Sequence, residues 1–527
     1  MHLKTARDYS KYEKVYFKPE FDLCLSCGSP LRRHHTAWSK NIQTMRGNIH
    51  ATSYAYSCTN AGCEKLYRSA EADLMSLPFR TYSIDVIVEI GYLRHEEKRS
   101  MEEIHRELRG RGISISPGEC YILSHVFEEL IAMRPVEFDP DWYDAVIANG
   151  GIVLAIDGVQ PEKGNSTLYV LQDAITSKVL YADYLDDSSS ENIASIIGKV
   201  RDSLRRLDIP IIAVISDHQR SIVLGVKKAL PGVKHQFCHF HVLRNALLPI
   251  SDMDRRMKKD LRIRIRGIAG IEKSLRSRDD ASVPAVKDAC SLLRGLLIYP
   301  GTSPMDFPGM AVFQGLASLD GTVRRMLSFR HDKDLERLAR ITGRWREFVK
   351  QYRDVSALVR YANRLRSILA STGGSSAVRT ELHAFLQSVN SRIREGGIHS
   401  SLNAMAQAIE NHWGGLFYCY DDTRIPRTDN GLEITIRHEK TSYRRMSGMR
   451  SWDSYIAQYG RSSFLVPPDV SRDQLMAMAS DIDRNDYRKR WRDFNGRIRV
   501  QSLMRTARSD YSSSLRRLEN SWISSQV

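Results

Sequence analysis

The sequence lacks the features of a membrane protein or a secreted protein. No apolar run approaches the ~20 residues that a membrane-spanning helix needs. The first residues also lack the apolar core of a signal peptide. We therefore expect a cytoplasmic protein with no membrane partner. Internal repeats are absent too. The sequence also has no GxxxxGK(S/T) phosphate-binding loop, so it gives no support to an ATP-driven mechanism.

Acidic residues are too few to balance the basic ones. The 527 residues include 78 Lys and Arg against 62 Asp and Glu, which gives a formal net charge of +16. This excess favours polyanionic partners, either nucleic acid or an anionic membrane surface. Without a membrane segment, nucleic acid is the favoured partner. The hydrophobic content of 42% is enough for real cores, and the length predicts two to four domains.

Cysteine is scarce beyond the first eighth of the chain. Four of the eight cysteines are scattered: Cys120, Cys238, Cys290 and Cys419. Such scattering predicts reduced thiols, as in the cytosol. The other four form two short-spaced pairs, in "CLSC" and "CTNAGC": Cys24, Cys27, Cys58 and Cys63.

These two pairs are typical of a structural zinc site, because each pair offers two thiolates to one tetrahedral ion. The alternation in "HATSYAYSC" predicts a strand leading into the second pair. We therefore expect a zinc-ribbon-like segment that binds Zn²⁺. His34, His35 and His50 lie between the pairs as rival ligands, and four unrelated buried cysteines are the alternative interpretation.

Three short helices are predicted over residues 82–133. Apolar residues recur there at three-to-four spacing. Ser100 and Glu103 form a capping box for the middle helix, and Ser116-Pro117 opens the third. The arrangement is similar to a helix-turn-helix, whose last helix would enter a DNA major groove. A plain helical bundle is the alternative, and the basic chain with its upstream cysteine pairs favours DNA binding.

The centre of the chain alternates strand and helix patterns. An apolar run predicts a buried strand in 150–161. The segments after it predict two further strands joined at Thr176-Ser177 and an amphipathic helix over 189–206. "IPIIAVISDHQRSIVLGVKKAL" then predicts a strand and a helix, and "VKHQFCHFHVLRNAL" predicts another pair. This order predicts an α/β sheet with mixed strand directions.

Asp157 and Asp217 lie at or near the ends of two of these strands. In open α/β sheets, functional groups collect at strand ends. If the first and fourth strands are neighbours, the two carboxylates converge and need cations, and their hard oxygen atoms suit Mg²⁺ or Mn²⁺. A strand-end cap is the alternative for either aspartate alone. A third carboxylate would complete a two-metal site for displacement at phosphorus.

The segment "PRTDNGLEITIRHEKTSYRR", residues 426–445, can supply that carboxylate. Asn430-Gly431 is expected to turn the backbone into a helix, with Glu433 in its first turn. The spacing of the following cations places them on the same helix face. This face would suit DNA phosphates, and its residues are Arg437, Lys440 and Arg444.

Four motifs in order resemble the DDE-type transposases of bacterial insertion sequences and their Mutator-like relatives. The motifs are "AIDG" with Asp157, "ISDHQRSI" with Asp217, "CHFHVLRN" with Cys238 and His241, and "TDNGLEITIRHEK" with Glu433. The Cys-x-x-His motif after the second aspartate recurs in that superfamily. An N-terminal zinc-binding segment and a helix-turn-helix are also frequent there. The resemblance covers roughly residues 20–450 in the order of parts, and it implies an RNase H-like core.

The resemblance implies metal-dependent cleavage of a DNA strand at the element end, followed by attack of the freed 3′-hydroxyl on target DNA. Asp157, Asp217 and Glu433 would hold the Mg²⁺ or Mn²⁺ ions, whereas structural packing is favoured for Cys238 and His241. Double-stranded DNA would be the partner, a homodimer or higher oligomer the active form, and the nucleoid the location in a bacterium. A catalytically silent DNA-binding regulator and a nuclease without strand transfer are the alternatives.

The long segment between His241 and Glu433 reads as mostly helical, like the insertion that several such transposases carry. Trp345 and Trp413 lie in or near it, and core packing is favoured for both over stacking on an unpaired base. The tail from 451 is rich in Arg and aromatic residues; DNA contact, dimer formation and a partly disordered arm stay open.

The predicted domains are a zinc-ribbon-like domain (1–78), a helix-turn-helix domain (79–140), the first part of the RNase H-like core (141–248), a helical insertion (249–410), the final core helix (411–450) and a basic C-terminal appendage (451–527).

Overall fold

A computed structural model describes residues 12–524, except 79, 134–135, 137–138, 162–164, 302–304, 396–398, 450 and 481–483. The last residues of the predicted basic tail, 525–527, therefore lie outside the described part. The chain divides into two compact units. The first unit is drawn from Met1–Val214, Arg220–Val233 and Asp429–Val527, and the second from Ile215–Gln219 and Lys234–Thr428.

The secondary structure follows the predicted alternation. The strands of the described residues are β1 (Glu13–Phe17), β2 (Leu31–Thr44), β3 (Gly47–Cys58), β4 (Leu66–Tyr67), β5 (Ile152–Val159), β6 (Thr167–Asp173), β7 (Val179–Leu185), β8 (Ile211–Ser216) and β9 (Lys234–Phe237). The helices before the insertion are α1 (Ala70–Met75), α2 (Ile84–His95), α3 (Met101–Gly110), α4 (Pro117–Ile131), α5 (Pro140–Ala148), α6 (Ser190–Arg206) and α7 (Arg220–Ala229). The remaining helices are α8 (His239–Arg264), α9 (Ile268–Leu275), α10 (Val283–Ile298), α11 (Pro308–Phe329), α12 (Lys333–Thr342), α13 (Val349–Leu369), α14 (Ser375–Glu395), α15 (His399–His412), α16 (Tyr418–Asp421), α17 (Asn430–Ser447), α18 (Asp453–Leu465), α19 (Arg472–Ser480), α20 (Arg484–Ser509) and α21 (Tyr511–Ser524). No helix among the described residues is both long and apolar enough to cross a bilayer.

The N-terminal strands form a small separate sheet in the first unit. Their order is β1-β3-β2, and β4 pairs with β3. β2 and β3 are a long antiparallel hairpin that is polar and exposed at one end. Near the turn the hairpin buries Ile42 and Ala51 against Phe17 of β1 and Ala72 of α1. The small apolar cluster leaves the outer end of this sheet dependent on other interactions, and the cysteines lie at that end.

Helices α2, α3 and α4 form as predicted, with the predicted caps. The Ser100 hydroxyl accepts from the Glu103 amide, and the Glu103 carboxylate accepts from the Ser100 amide, which completes the capping box. Ser116 caps α4 by accepting from the Glu119 amide at 3.1 Å. α2 and α4 pack closely because Gly91 has no side chain where the ring of Phe127 lies; a Cβ there would be 2.3 Å from the ring.

The central sheet of the first unit contains β5 to β8. Its strand order is β7-β6-β5-β8, with antiparallel pairing between β5 and β6 and between β6 and β7. The Ile152 amide donates to the Pro210 carbonyl at 3.0 Å, so β5 and β8 begin at the same edge and run in the same direction. Both strand directions occur in this sheet, and the prediction of a mixed α/β sheet is confirmed.

The segment after residue 451 is part of the first unit. α18 packs against α4 and β7, and Arg461 of α18 is 2% exposed. The Arg461 guanidinium pairs with Glu129 of α4 and, at 3.1 Å, with Asp183 of β7. Arg490 of α20 adds an ion pair to Asp183 at 3.6 Å. The sequence left the role of these arginines open, and the structure buries two of them in ion pairs.

The second unit is almost entirely helical and includes β9 and the end of β8. The Cys238 amide donates to the Ser216 carbonyl at 2.9 Å, which joins the start of α8 to the end of β8. α8 runs without a break through residue 249, where the sequence predicted a domain boundary. Trp345 packs edge-on against Phe313, so its core packing is confirmed. Trp413 packs against the second core of this unit, beside Phe417.

Candidate functional site

The two cysteine pairs converge at the outer end of the N-terminal sheet. The four Sγ atoms lie within 4.8 Å of one another. Cys24 Sγ is 3.7 Å from Cys63 Sγ, and Cys27 Sγ is 3.4 Å from Cys58 Sγ. None of the four is in a disulfide. Tetrahedral zinc with Zn–S bonds of ~2.3 Å needs sulfur atoms about 3.8 Å apart, so the cluster fits one zinc ion.

Tight turns bring the cysteines to this position. Gly28, at φ +71°, donates its amide to the Cys24 carbonyl at 2.8 Å and closes the first turn. Cys58 ends β3, and the Cys63 amide donates to the Asn60 carbonyl at 3.0 Å in the second turn. The rival histidines point elsewhere. His34 and His35 contact each other through their Nδ1 atoms, and His50 contacts Ser39 and Asn41.

The thiols of this cluster differ in acidity. A hydrogen bond from the Tyr67 hydroxyl lowers the pKa of Cys24 to about 6, whereas burial raises the pKa of Cys58 to about 12. Four thiolates this close repel one another without a cation. A divalent ion would stabilise all four in the ionised form, because zinc binds the thiolate.

Asp157 lies on β5, two residues before the strand ends. The five preceding residues of β5 are buried, and Asp157 is the first half-buried one. Its Oδ1 accepts from the Gly158 amide at 2.7 Å, and it faces Val170 of β6 in the strand register. The strand therefore delivers this carboxylate to the edge of the sheet where β5 leaves the core.

Glu433 lies in the first turn of α17, as predicted, but the route into the helix differs. Asn430 and Gly431 are the first helical residues, and the turn comes before Asp429, so the predicted turn at Asn430-Gly431 is wrong. Gly431 instead allows close packing, since a Cβ there would lie 3.3 Å from the Ser177 hydroxyl. Because Asn430 and Gly431 both have helical backbone conformations, the pair begins α17 and makes no separate turn.

α17 packs on the central sheet of the first unit. The Gln172 side-chain amide of β6 donates to the Thr435 hydroxyl at 3.0 Å, and α17 also lies against β5. Asp157 and half-buried Glu433 therefore lie on neighbouring elements of the first unit.

The predicted basic face of α17 extends away from Glu433. Arg437 and Arg444 are exposed, and Lys440 is half-buried. The Lys440 ammonium lies 5.7 Å above the ring of Trp452. The three cations follow one another at about one helical turn, so they form a basic stripe on one side of α17.

Asp217 lies in the second unit, directly after β8. The carboxylate is half-buried and accepts from the Gln219 amide at 3.0 Å. The Ser216 hydroxyl donates to the Asp217 carbonyl at 2.7 Å and lies 2.8 Å from His235 Nε2. Burial lowers the pKa of His235 to about 4. The backbone that holds Asp217 is thus tied to β9 through a neutral imidazole.

The Cys-x-x-His motif lies at the start of α8. Cys238 is fully buried at the N-cap position, and His241 is half-buried one turn further on. Their ligand atoms lie within 4.8 Å of each other. Between them, His239 contacts the Leu416 carbonyl at 2.9 Å and donates its own amide to the Arg427 carbonyl at 2.8 Å. The motif therefore lies where β9, α8 and the end of the second unit meet.

Two histidines that sequence reasoning missed lie beside Asp217. The ring of His218 is 4.4 Å from the ring of His412 and 4.6 Å from that of Phe237. Burial lowers the pKa of both His218 and His412. His218 could have been found as the residue after Asp217. No local pattern marks His412, because it reaches this place from the end of α15.

The comparison with protein-family models identifies the class of protein. The model DDE_Tnp_ISL3, described as a transposase, matches residues 154–459. This match begins within β5, includes the Cys-x-x-His motif and α17, and covers more than half of the chain. The chain therefore belongs to this family of DDE-type insertion-sequence transposases, as the motif resemblance predicted. The search of curated proteins finds no match.

Proposed function

We propose that this transposase binds the ends of a mobile element and carries out both strand cleavage and strand transfer at one site formed by Asp157, Asp217 and Glu433. The observation that carries the proposal is the position of the three acids. Asp157 lies near the end of a buried strand, Asp217 follows another, and Glu433 lies in the first turn of a helix; all three fall in the segment that matches the transposase family. Such acids are placed to act on a substrate at the edge of a sheet.

The donor set fits Mg²⁺ or Mn²⁺. Carboxylate oxygens are the ligands that these hard cations prefer, and the three candidate carboxylates are half-buried rather than sealed in a core. Bound there, the ions supply activation of the attacking oxygen and neutralisation of charge on the phosphate. The protein holds Asp157 by its strand register and Glu433 by the packing of α17.

We further propose that the central sheet is an RNase H-like core. Support comes from the antiparallel strands β5 to β7, followed by β8 running in the same direction as β5. The first strand carries one candidate acid, and the end of the fourth precedes another. The long helical segment before α17 agrees with an insertion into such a core.

DNA recognition is assigned to two places, helices α2 to α4 and the basic stripe of α17, and the cysteine cluster has a supporting structural role. Helices α2 to α4 have the lengths and caps of a helix-turn-helix, the cysteine cluster stabilises the sheet before them, and the stripe of Arg437, Lys440 and Arg444 suits backbone phosphates. Because two element ends must be joined, we expect a homodimer or higher oligomer on double-stranded DNA. A bacterial source would place it at the nucleoid.

The test is cleavage and joining of DNA that carries the element's ends, with Mg²⁺ or Mn²⁺, by the wild type and Glu433→Gln. The substitution removes one anionic ligand and keeps the side-chain shape. We expect the wild type to join ends to target DNA, and the variant to bind DNA but lose both steps by at least about 10²-fold, because one active-site ligand is missing.

Glu381→Gln is the matched control, since Glu381 is an exposed glutamate of α14. It should retain both steps. Normal cleavage by Glu433→Gln would show that the third acid lies elsewhere, with Glu410 and Glu439 as the next candidates. Cleavage without joined products would identify a nuclease. DNA binding by the wild type without either step would identify a silent regulator.

A further inference from the structure

Four arginines of the second unit surround one open cavity of about 430 Å³. It lies where α11, α12 and a 3-10 turn (Gly343–Phe348) meet. The arginines come from the last part of α11, the end of α12 and the turn: Arg324, Arg340, Arg344 and Arg346. So many guanidinium groups around one space repel one another, and an anion there would relieve that repulsion.

A buried carboxylate holds two of these arginines in place. Asp320 is 1% exposed and accepts Arg324 Nε at 3.1 Å and Arg346 Nη1 at 2.8 Å. The Trp345 indole donates to the same carboxylate at 3.3 Å, and the Arg346 guanidinium lies 4.7 Å above the Trp345 ring. A guanidinium has five N–H donors, so these contacts orient both arginines and leave further N–H groups for a ligand.

The remaining charges leave the cavity positive. Arg344 Nη1 donates to the Arg264 carbonyl at 2.8 Å, which fixes the third guanidinium through a neutral partner. Glu347 lines the cavity but pairs with Arg264 at 2.6 Å. Glu347 is thus already paired with an arginine that does not line the cavity, and Asp320 is the remaining carboxylate. Four cations therefore face one carboxylate.

Gly343 keeps the cavity open. Its φ of −58° is an ordinary helical value that any residue adopts, so the turn does not require glycine. A Cβ at this position would lie 3.1 Å from Arg324 Nη2 and 3.2 Å from Arg346 Nη1. The missing side chain leaves space between two oriented guanidinium groups, and the same point lies 3.5 Å from Asp320 Oδ1. An anion bound there would accept from both guanidinium groups on the side away from Asp320.

We propose that this cavity binds one phosphodiester phosphate of a DNA strand and so fixes the helical insertion to the DNA backbone. Planar guanidinium groups match the oxygens of a phosphate, and a backbone contact positions a protein without reading sequence. This assignment rests on the proposed function, which supplies the DNA. It adds a contact far along the chain from the basic stripe of α17.

The experiment measures the affinity of the full chain for DNA against salt concentration. Gly343→Asp puts a carboxylate between the guanidinium groups, and Arg340→Ala removes one cation without disturbing Asp320. Loss of one phosphate contact should lower the salt slope, d log K/d log [salt], by about 1 in magnitude. Affinity should fall about tenfold, equally for element ends and unrelated sequences.

Two controls accompany these variants. Arg325→Ala removes the neighbouring cation of α11, which lies outside the cavity lining, and Gly343→Ala adds volume without charge. Arg325→Ala should keep the wild-type affinity and salt slope. Gly343→Ala fills part of the space without adding a charge, so its loss of affinity should lie between those of the wild type and Gly343→Asp. Circular dichroism and thermal unfolding of each variant test whether the helices are retained.

The outcomes separate this proposal from the proposed function. In one outcome, the wild type binds and cleaves DNA, and both Arg340→Ala and Gly343→Asp keep its affinity and salt slope. This result would overturn the phosphate site alone. A wild type that neither binds nor cleaves DNA would overturn both. Inorganic phosphate that stabilises the wild type but not Gly343→Asp, with unchanged DNA affinity, would assign the cavity to free phosphate and overturn the DNA contact.

Discussion

Glu128 is a buried acid that α4 presents to the start of the C-terminal segment. Its carboxylate accepts the amides of Arg461 and Ser462, at 2.9 and 3.1 Å, and the Ser462 hydroxyl. Burial raises the pKa of Glu128 to about 7, although Arg461 opposes this rise. The native chain therefore keeps a proton on Glu128 in a pH range where the unfolded chain has released it.

This difference predicts a pH dependence of stability. Between pH 4.5, the unperturbed pKa, and about pH 7, the native state binds more protons than the unfolded state, so the free energy of unfolding falls as pH rises. Glu128→Gln removes the titrating group. We expect it to remove a decline of up to about 3 kcal/mol over this range.

Urea unfolding at pH 5, 6 and 7 measures the effect. The exposed Glu102→Gln of α3 serves as the control and should follow the wild-type curve. If the free energy of unfolding changes with pH equally in Glu128→Gln and in the wild type, the buried carboxyl is already ionised at pH 5.

At this scale, residues with a local signal could be predicted and residues with only distant partners could not. Asp157 and Asp217 were found because buried runs of apolar residues precede each of them. Arg461 was not recognised as a core residue, since its acidic partners Glu129 and Asp183 lie some 280 to 330 positions earlier. Arginine in a basic tail looks exposed until those partners are known.

Among the elements, the cysteine-bearing turns of the N-terminal sheet depend most on a bound ion. The Sγ atoms approach to 3.4 Å without a disulfide, and the apolar cluster of this sheet is small. Zinc binding would supply folding free energy that the sheet cannot obtain from burial alone. The spacing of the cysteine pairs was sufficient to predict this site from sequence.

We expect the purified protein to contain about one zinc ion per chain, in keeping with a four-thiolate site. Cys27→Ser with Cys58→Ser should lose the metal, because each substitution removes a thiolate ligand. Elemental analysis measures it, and Cys290→Ser, in the core of the second unit, should retain zinc. A metal-free wild type, equally stable with a chelator, would contradict the site.

Most strands and helices were predictable, whereas the start of α17 was not. Periodicity and capping residues located α2 to α4 and the strands of the central sheet. Asn430-Gly431 looked like a turn because that pair favours turns in isolation. In the structure both residues are helical, and Gly431 packs close to Ser177, a neighbour that the sequence around 430 does not reveal.

Across the whole first unit, one ion cluster joins the predicted DNA-binding helices to the central sheet. Arg461 contacts Glu129 of α4 and Asp183 of β7, and Arg497 of α20 adds a second cation at 3.3 Å from Glu129. Arg461 and Arg490 lower the pKa of Asp183 to about 2 against the opposing effect of burial. Asp183 therefore stays ionised at neutral pH, whereas burial raises the pKa of Glu129 against the opposing effect of Arg461 and Arg497. The cluster connects parts that are distant in sequence.

Arg461→Ala should destabilise the protein by about 3–5 kcal/mol, because it leaves buried carboxylates without their main counter-charge. Arg516→Ala, on the exposed helix α21, should change stability by less than about 0.5 kcal/mol. Chemical unfolding at pH 7 gives both values. A loss below about 1 kcal/mol for Arg461→Ala would show that the ion pairs do not hold this unit together.

The interleaving of the two units also determines the order in which the protein can be completed during translation. The Glu128 carboxylate meets the Arg461 amide 333 positions later, and Gln172 meets Thr435 263 positions later. A nascent chain must therefore expose the partners of Arg461 while the ribosome produces the entire helical insertion. A message truncated within or just after that insertion yields a chain whose sheet lacks α17 and whose buried acids lack their arginine. We expect such products to be degraded, and so to be unable to compete with complete copies for DNA.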